Sequence, residues 1–182
     1  AFIIILPFPS RAIDDAPMAD IHLHFNWNQE EIISAEEVLQ RLRKRNVKLA
    51  LVTSVPSDNA VKLRNIGGDW IFPFYSPYIN AGKRDTWFID QQVIEKTRAA
   101  LESKNYFGIG EMHLVAGAPP TRENRIVNSL FSLAQEFKVP VLIHTDSSSH
   151  KYFEPICKKY PDVRFLWAHA GGILEPDEVI AL

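Results

Sequence analysis

The alternation of short apolar runs with helical patterns is the feature that most constrains the fold of this chain. From position 19 onward, each run of β-branched, aromatic and aliphatic residues is followed by a segment with helical spacing. The runs are apolar at nearly every position, which is typical of strands buried on both faces. One helix between successive strands predicts a parallel α/β sheet with right-handed crossovers.

The pattern predicts six strands and a helix after each of them. The predicted strands are Ala19–His24, Val47–Ser54, Trp70–Tyr75, Phe107–Met112, Pro140–Thr145 and Val163–His169. Ser34 and Glu37 have the spacing of a capping box and start the first helix. The other predicted helices are Asp58–Asn65, Gln91–Ser103, Arg122–Phe137, His150–Lys159 and a last one that opens at Glu175 and continues to Leu182.

Two architectures fit this order of elements, an open doubly wound sheet and a (β/α)8 barrel. The first strand is not followed by Gly-x-Gly-x-x-Gly, which weakens a dinucleotide-binding fold. A closed eight-stranded barrel takes about 250 residues, whereas this chain has 182. A barrel is therefore expected to be incomplete here, with about six βα units. The long loop 76–87 after the third strand is expected to form part of a site wall.

Composition excludes several classes of function. The formal net charge is −2 and no basic run occurs, so no nucleic-acid partner is expected. Cys157 is the single cysteine, which excludes a disulfide framework and a cysteine-based zinc site. No stretch reaches the roughly 20 apolar residues of a membrane span. Residues 1–18 are either an apolar arm or a signal-peptide remnant; a remnant would imply a periplasmic or secreted protein, and an arm a cytoplasmic one.

Histidines and one glutamate recur where predicted strands end. His22 and His24 lie two apart and so share one face of the first strand. Glu111, His144 and His169 follow the apolar runs of strands four, five and six. Because the C-terminal ends of parallel strands meet at one edge, these side chains are expected to converge. Imidazole and carboxylate are ligands for zinc, manganese or iron, so a site for one or two divalent ions is predicted.

Other polar residues are expected near this site. His113 shares the parity of Glu111 and is a candidate substrate contact. Tyr75 at the end of strand three and Asp146 just after strand five are candidates for substrate binding, although Asp146 also suits a position behind the metal ligands or a turn facing solvent. His150 is expected to be a surface residue at the start of a helix.

The phrases "DIHLH", "GIGEMHL", "VLIHTD" and "FLWAHAGG" resemble those of the amidohydrolase superfamily of metal-dependent TIM-barrel hydrolases. The resemblance covers residues 20–182 and implies a hydrolase domain over residues 19–182. The glutamate at strand four is similar to the TatD-like and phosphotriesterase-related branches. "IHTD" and "AHAGG" are more similar to the amidohydrolase-2 branch, which also holds mononuclear decarboxylases and hydratases.

The resemblance implies roles for the clustered residues. His22 and His24 would hold one metal, Glu111 would bridge to a second, and His144 and His169 would complete the second site. A metal-bound hydroxide would attack a carbonyl, ester, lactone or phosphoryl centre of a small molecule, with Glu111 and His169 as catalytic residues. In the mononuclear branch, His169 would be an acid or base.

The family's aspartate at the end of strand eight has no counterpart in residues 1–182. Residues 1–182 alone are therefore expected to be catalytically impaired, and a non-catalytic truncated barrel is the remaining alternative. The open edges at strands one and six would also need to be covered, by a partner chain or by formation of a homo-oligomer.

Overall fold

The computed structural model describes residues 16–146 and 148–182. The predicted arm or signal remnant, residues 1–18, lies almost wholly outside this part of the chain. The strands are β1 (Met18–His24), β2 (Val47–Thr53), β3 (Ile71–Phe74), β4 (Ile109–His113), β5 (Val141–His144) and β6 (Phe165–Trp167). The helices are α1 (Trp27–Glu30), α2 (Ala35–Lys44), α3 (Asp58–Gly67), α4 (Gln92–Glu102), α5 (Arg125–Phe137), α6 (His150–Lys159) and α7 (Pro176–Ile180).

The strands form two parallel three-stranded sheets, in the order β1-β2-β3 and β4-β5-β6. A parallel bridge between Tyr75 and Ile109 joins the two sheets. This confirms the predicted parallel α/β architecture and agrees with part of a TIM-type barrel. Within the described residues the strands do not close into a barrel.

Alternate residues of β2 face two different cores. Ala50 and Val52 of β2 pack towards α2 and α3, whereas Leu51 joins Phe74 and Leu142 in a small cluster that spans both sheets. This second cluster is the inner layer of the curved sheet, because neighbouring residues on a strand point to opposite faces. The inner layer forms the floor beneath the C-terminal ends of the strands.

The predicted helices are present, with small differences at their ends. Ser34 caps α2 by accepting a hydrogen bond from the Glu37 backbone N–H at 3.2 Å. The start of α5 is three residues later than predicted because the side chain of Asn124 caps it, accepting from the backbone N–H groups of Ile126 and Val127. The last helix ends at Ile180 and does not continue to Leu182. No helix in residues 16–146 and 148–182 is long and apolar enough to cross a membrane.

Two strand-end predictions need correction. Glu111 does not close β4, which continues to His113. His169 does not close β6, which ends at Trp167. His169 instead lies in the 3₁₀ turn Ala168–Gly171 with φ +54°, a left-handed conformation that is rare outside glycine.

Candidate metal centre

The Glu111 carboxylate is the centre of a cluster of histidines. Its Oε1 atom lies 3.2 Å from His22 Nε2 and 2.8 Å from His144 Nδ1, and its Oε2 atom lies 3.3 Å from His24 Nε2. The side chain of Glu111 is only 6% exposed. One buried carboxylate therefore contacts histidines from both sheets.

A second carboxylate, Asp146, extends the cluster. Its Oδ2 atom accepts a hydrogen bond from His169 Nδ1 at 2.8 Å and lies 3.3 Å from His144 Nε2. The His22 ring stacks on the His169 ring with 4.9 Å between centroids. His169 thus reaches the cluster from the turn after β6, although it is not part of the strand.

Thr53 of β2 and the glycine at position 110 hold Glu111 in place. The Thr53 hydroxyl at the end of β2 donates to the Gly110 carbonyl at 2.6 Å and accepts from the Glu111 backbone N–H at 2.8 Å. Gly110 has φ +128°, and a Cβ atom there would meet the Leu142 backbone oxygen. Only glycine adopts this positive φ readily and leaves room for the Leu142 oxygen, so Gly110 is needed for β4 to approach β5 at this point.

The cluster opens into a cavity of about 360 Å³. Its lining residues are His24, Asn26, Trp27, Asn28, Gln29, Thr53, Val55, Ser76, Tyr78, Ala81, Arg84, Glu111, His113, His144 and His169. Part of the wall is α1, which begins after Asn26, and another part comes from the loop 76–87. This confirms the prediction that the long loop after β3 forms part of the site.

The electrostatics of the cluster favour a positive charge at its centre. Burial raises the pKa of the Glu111 carboxyl, but the hydrogen bonds with His144, His22 and His24 outweigh burial and hold that pKa well below its usual range. The hydrogen bond to Glu111 raises the pKa of His144 despite its partial burial. Burial lowers the pKa of His113 to about 4, although the nearby Glu111 opposes this. His113 is therefore neutral at pH 7.

The donor set fits a divalent transition metal. Three overlapping groups each bring their ligand atoms within 4.8 Å of one another: His22, His24 and Glu111; Glu111, His113 and His144; His144, Asp146 and His169. The ring nitrogens His22 Nε2 and His24 Nε2 lie 3.1 Å apart and face the same carboxylate. Imidazoles that converge on a buried carboxylate are typical of sites for zinc and related metals.

The other predicted residues lie in different places. His113 lines the cavity; Asp146 is not among the lining residues but contacts two histidines that are, His144 and His169. The structure does not bring Tyr75 to the cavity, because Phe74 takes the inner position on β3 and Tyr75 points outward. The Tyr75 ring instead packs on Tyr106, with 5.2 Å between centroids. His150 starts α6 as predicted, but its side chain is only 15% exposed and lies near Glu178, so it is not a surface residue.

Three further residues at the site, Thr53, Tyr78 and Arg84, are not among the predicted site residues. Thr53 is polar and ends an apolar strand, the same signal that identified the histidines. Tyr78 and Arg84 carry no such signal, because they lie within an irregular loop. Only the path of that loop over the strand ends places them at the cavity.

This fold and this cluster define a metal-dependent hydrolase of the amidohydrolase-like type, with its candidate ligands at the C-terminal ends of parallel strands. A protein-family model described as TatD related DNase matches residues 19–174, and the chain belongs to that family of metal-dependent hydrolases. The TatD-like resemblance noted in the sequence is therefore confirmed. A search of curated proteins finds no match to this chain.

Proposed function

We propose that this protein hydrolyses phosphodiester bonds of DNA, with one or two divalent metal ions held by the Glu111 cluster. Two findings support the proposal. The chain belongs to a family described by DNase activity, and the positively charged side chain of Arg84 lies at the rim of the same cavity. The observation that carries it is the contact of one buried carboxylate with histidines of β1 and β5. A DNA substrate differs from the expectation, based on the net charge of −2 and the lack of a basic run, that the protein has no nucleic-acid partner.

The clustered residues would be able to hold two ions. His22 and His24 would hold one ion and His144 and His169 the other, with Glu111 between the two sets. A divalent ion there supplies a Lewis acid and allows water to act as a nucleophile at neutral pH. Zinc and manganese both suit this mixture of nitrogen and oxygen ligands.

The protein itself orients these groups. Asp146 Oδ2 accepts a hydrogen bond from the Nδ1–H of His169, which leaves His169 Nε2 with a free lone pair for a metal or a proton. Thr53 fixes the backbone of Glu111 on the floor of the cavity. At the rim, the exposed side chains of Arg84 and Trp27 suit a phosphate and a nucleobase, respectively.

A hydrolase of small-molecule esters is the second candidate. The cavity of about 360 Å³ is near the lower limit of ligand pockets in general, and the net charge of −2 gives no long-range attraction for a polyanion. Membership of a family of hydrolases favours both the nuclease and the esterase over a decarboxylase or hydratase. A non-catalytic barrel is the outcome if no substrate is turned over.

The proposal is tested by metal binding and by cleavage in parallel. Calorimetry with Mn²⁺ and Zn²⁺ measures stoichiometry and affinity, and a 5′-labelled single-stranded oligonucleotide reports nuclease activity with and without EDTA. Glu111→Gln should abolish cleavage and weaken metal binding by at least about 100-fold. Glu136→Gln, an exposed carboxyl variant on α5, is the matched control. Cleavage of p-nitrophenyl esters without cleavage of the oligonucleotide would support the second candidate instead.

A further inference from the structure

His113 lies between two cavities. The first is the cavity above the Glu111 cluster, and the second, also about 360 Å³, lies against Trp87, Phe88 and the prolines 119 and 120. Tyr78, Arg84 and His113 line both of them. The face of the His113 ring stacks on His144, with 4.2 Å between centroids, so its position is tied to the cluster.

The hydrogen bonds of Tyr78 determine which nitrogen of His113 carries the proton. The phenol oxygen accepts the backbone N–H of His113 at 2.9 Å, and it also contacts His113 Nδ1. Among the described residues, Nδ1 is the acceptor within reach of the phenol proton. Tyr78 is only 5% exposed, and an unmatched buried hydroxyl is costly. The phenol therefore donates to Nδ1, and His113 carries its proton on Nε2.

This tautomer gives His113 a role opposite to that of His169. His169 donates through Nδ1 to Asp146 and keeps its Nε2 lone pair, as a metal ligand requires. In His113 the Nδ1 lone pair is used by Tyr78, and Nε2–H is a donor that cannot bind a metal. His113 lies close enough to Glu111 and His144 to form a metal site with them, but this tautomer leaves it without a free lone pair for the metal.

We propose that Tyr78 is a positioning residue that holds His113 as an Nε2–H donor, and that His113 and Arg84 together bind an anionic phosphate oxygen of the substrate. The phosphate part rests on the proposed function. Arg84 is exposed at the border of the same two cavities, and its guanidinium suits phosphate geometry. The substrate would thus extend from the first cavity into the second, and its phosphate would lie between the Glu111 cluster and the second cavity.

The tautomer is tested first, without substrate. Nitrogen-15 NMR of histidine-labelled protein at pH 7.5, about one unit above the ordinary pKa of imidazole, distinguishes Nε2–H from Nδ1–H, and His113→Gln assigns the resonance. We expect Nε2–H in the wild type and in Tyr160→Phe, which loses a different buried hydroxyl. Tyr78→Phe should release His113 to the Nδ1–H form or to a mixture. An Nδ1–H resonance in the wild type, or a His113 resonance shifted by direct binding of Zn²⁺, would overturn the proposal.

The phosphate role is tested with inorganic phosphate on the metal-loaded protein. Arg84→Met and His113→Leu should each weaken phosphate binding about tenfold while metal affinity stays within about twofold, and His113→Gln, which keeps an N–H at similar reach, should weaken it less. Unchanged phosphate binding in both Arg84→Met and His113→Leu would refute this part. Intact phosphate binding in a protein that leaves the oligonucleotide uncut would contradict the nuclease function and leave the His113 assignment standing.

Discussion

The position of Glu111 depends directly on the buried hydroxyl of Thr53, which lies outside the cluster. Thr53→Val keeps the shape of the side chain but removes the donor to Gly110 and the acceptor for the Glu111 N–H. Thr53 is 2% exposed, so water cannot replace the hydroxyl without rearrangement. Thr53→Val therefore measures the effect of losing these two hydrogen bonds with little change in side-chain packing.

The magnitude follows from the count of bonds lost. Two buried hydrogen bonds at about 0.5–1.5 kcal/mol each predict a loss of about 1–3 kcal/mol in the free energy of unfolding. With a typical dependence of the free energy of unfolding on urea concentration, the midpoint of urea unfolding falls by about 1 M. Because the freed Glu111 backbone no longer fixes the carboxylate, metal affinity should fall about 10- to 100-fold, as when an outer partner of a ligand is lost.

The assay combines urea unfolding followed by circular dichroism with calorimetric titration of Mn²⁺. Thr53→Ser keeps the hydroxyl and should retain metal affinity, with a loss of about 1 kcal/mol for the missing methyl group. Thr97→Val is the matched control, because Thr97 is fully buried and donates to a carbonyl within α4, far from the site. Wild-type metal affinity in folded Thr53→Val, or an equal loss of affinity in Thr97→Val, would refute the reasoning.

Three further predictions concern Asp146, the turn after β6 and the pH dependence of stability. Asp146→Asn replaces the carboxylate that accepts from His169 Nδ1, so metal affinity should fall about 10- to 100-fold by calorimetry; unchanged affinity would contradict the proposed orientation of His169. Gly172→Ala places a Cβ 2.8 Å from the Asp146 carboxyl carbon at φ +75° and should lower stability by about 1–2 kcal/mol in urea unfolding; a neutral result would show that the turn relaxes freely. Burial, with the hydrogen bond to Asp58, raises the pKa of Tyr106 above its ordinary 10.0. Its contribution to stability is therefore complete below about pH 10 and is lost as pH rises through the folded pKa. The loss of thermal stability above about pH 10 should be smaller in Tyr106→Phe, and an identical alkaline profile would reject that assignment.

Strand positions and the convergence of most of the cluster could be predicted from sequence, because both follow from local patterns. Continuous apolar runs and capping residues are short-range signals, and the six strands lie within a few residues of the predicted ranges. His22, His24, Glu111 and His144 come together because parallel strands place their C-terminal ends at one edge.

Errors arose where contacts distant in sequence decide the outcome. His169 leaves the strand because the chain turns after Trp167, whose indole N–H donates to the Thr145 hydroxyl at 2.7 Å. Tyr75 faces outward because Phe74 occupies the inner position, a choice of parity that a continuous apolar run does not reveal. The partial burial of His150 depends on α7, which lies far along the chain.

The sequence by itself determined the parallel α/β class and the edge at which its chemistry lies, since periodicity and strand order are properties of the chain. Tertiary structure alone decided how each polar group is used. Thr53 supports Glu111 across 58 positions of sequence, and Tyr78 sets the proton of His113 across 35. Hydrogen bonds between residues so far apart exist only once the strands and the loop 76–87 are packed, because no local pattern specifies which donor meets which acceptor.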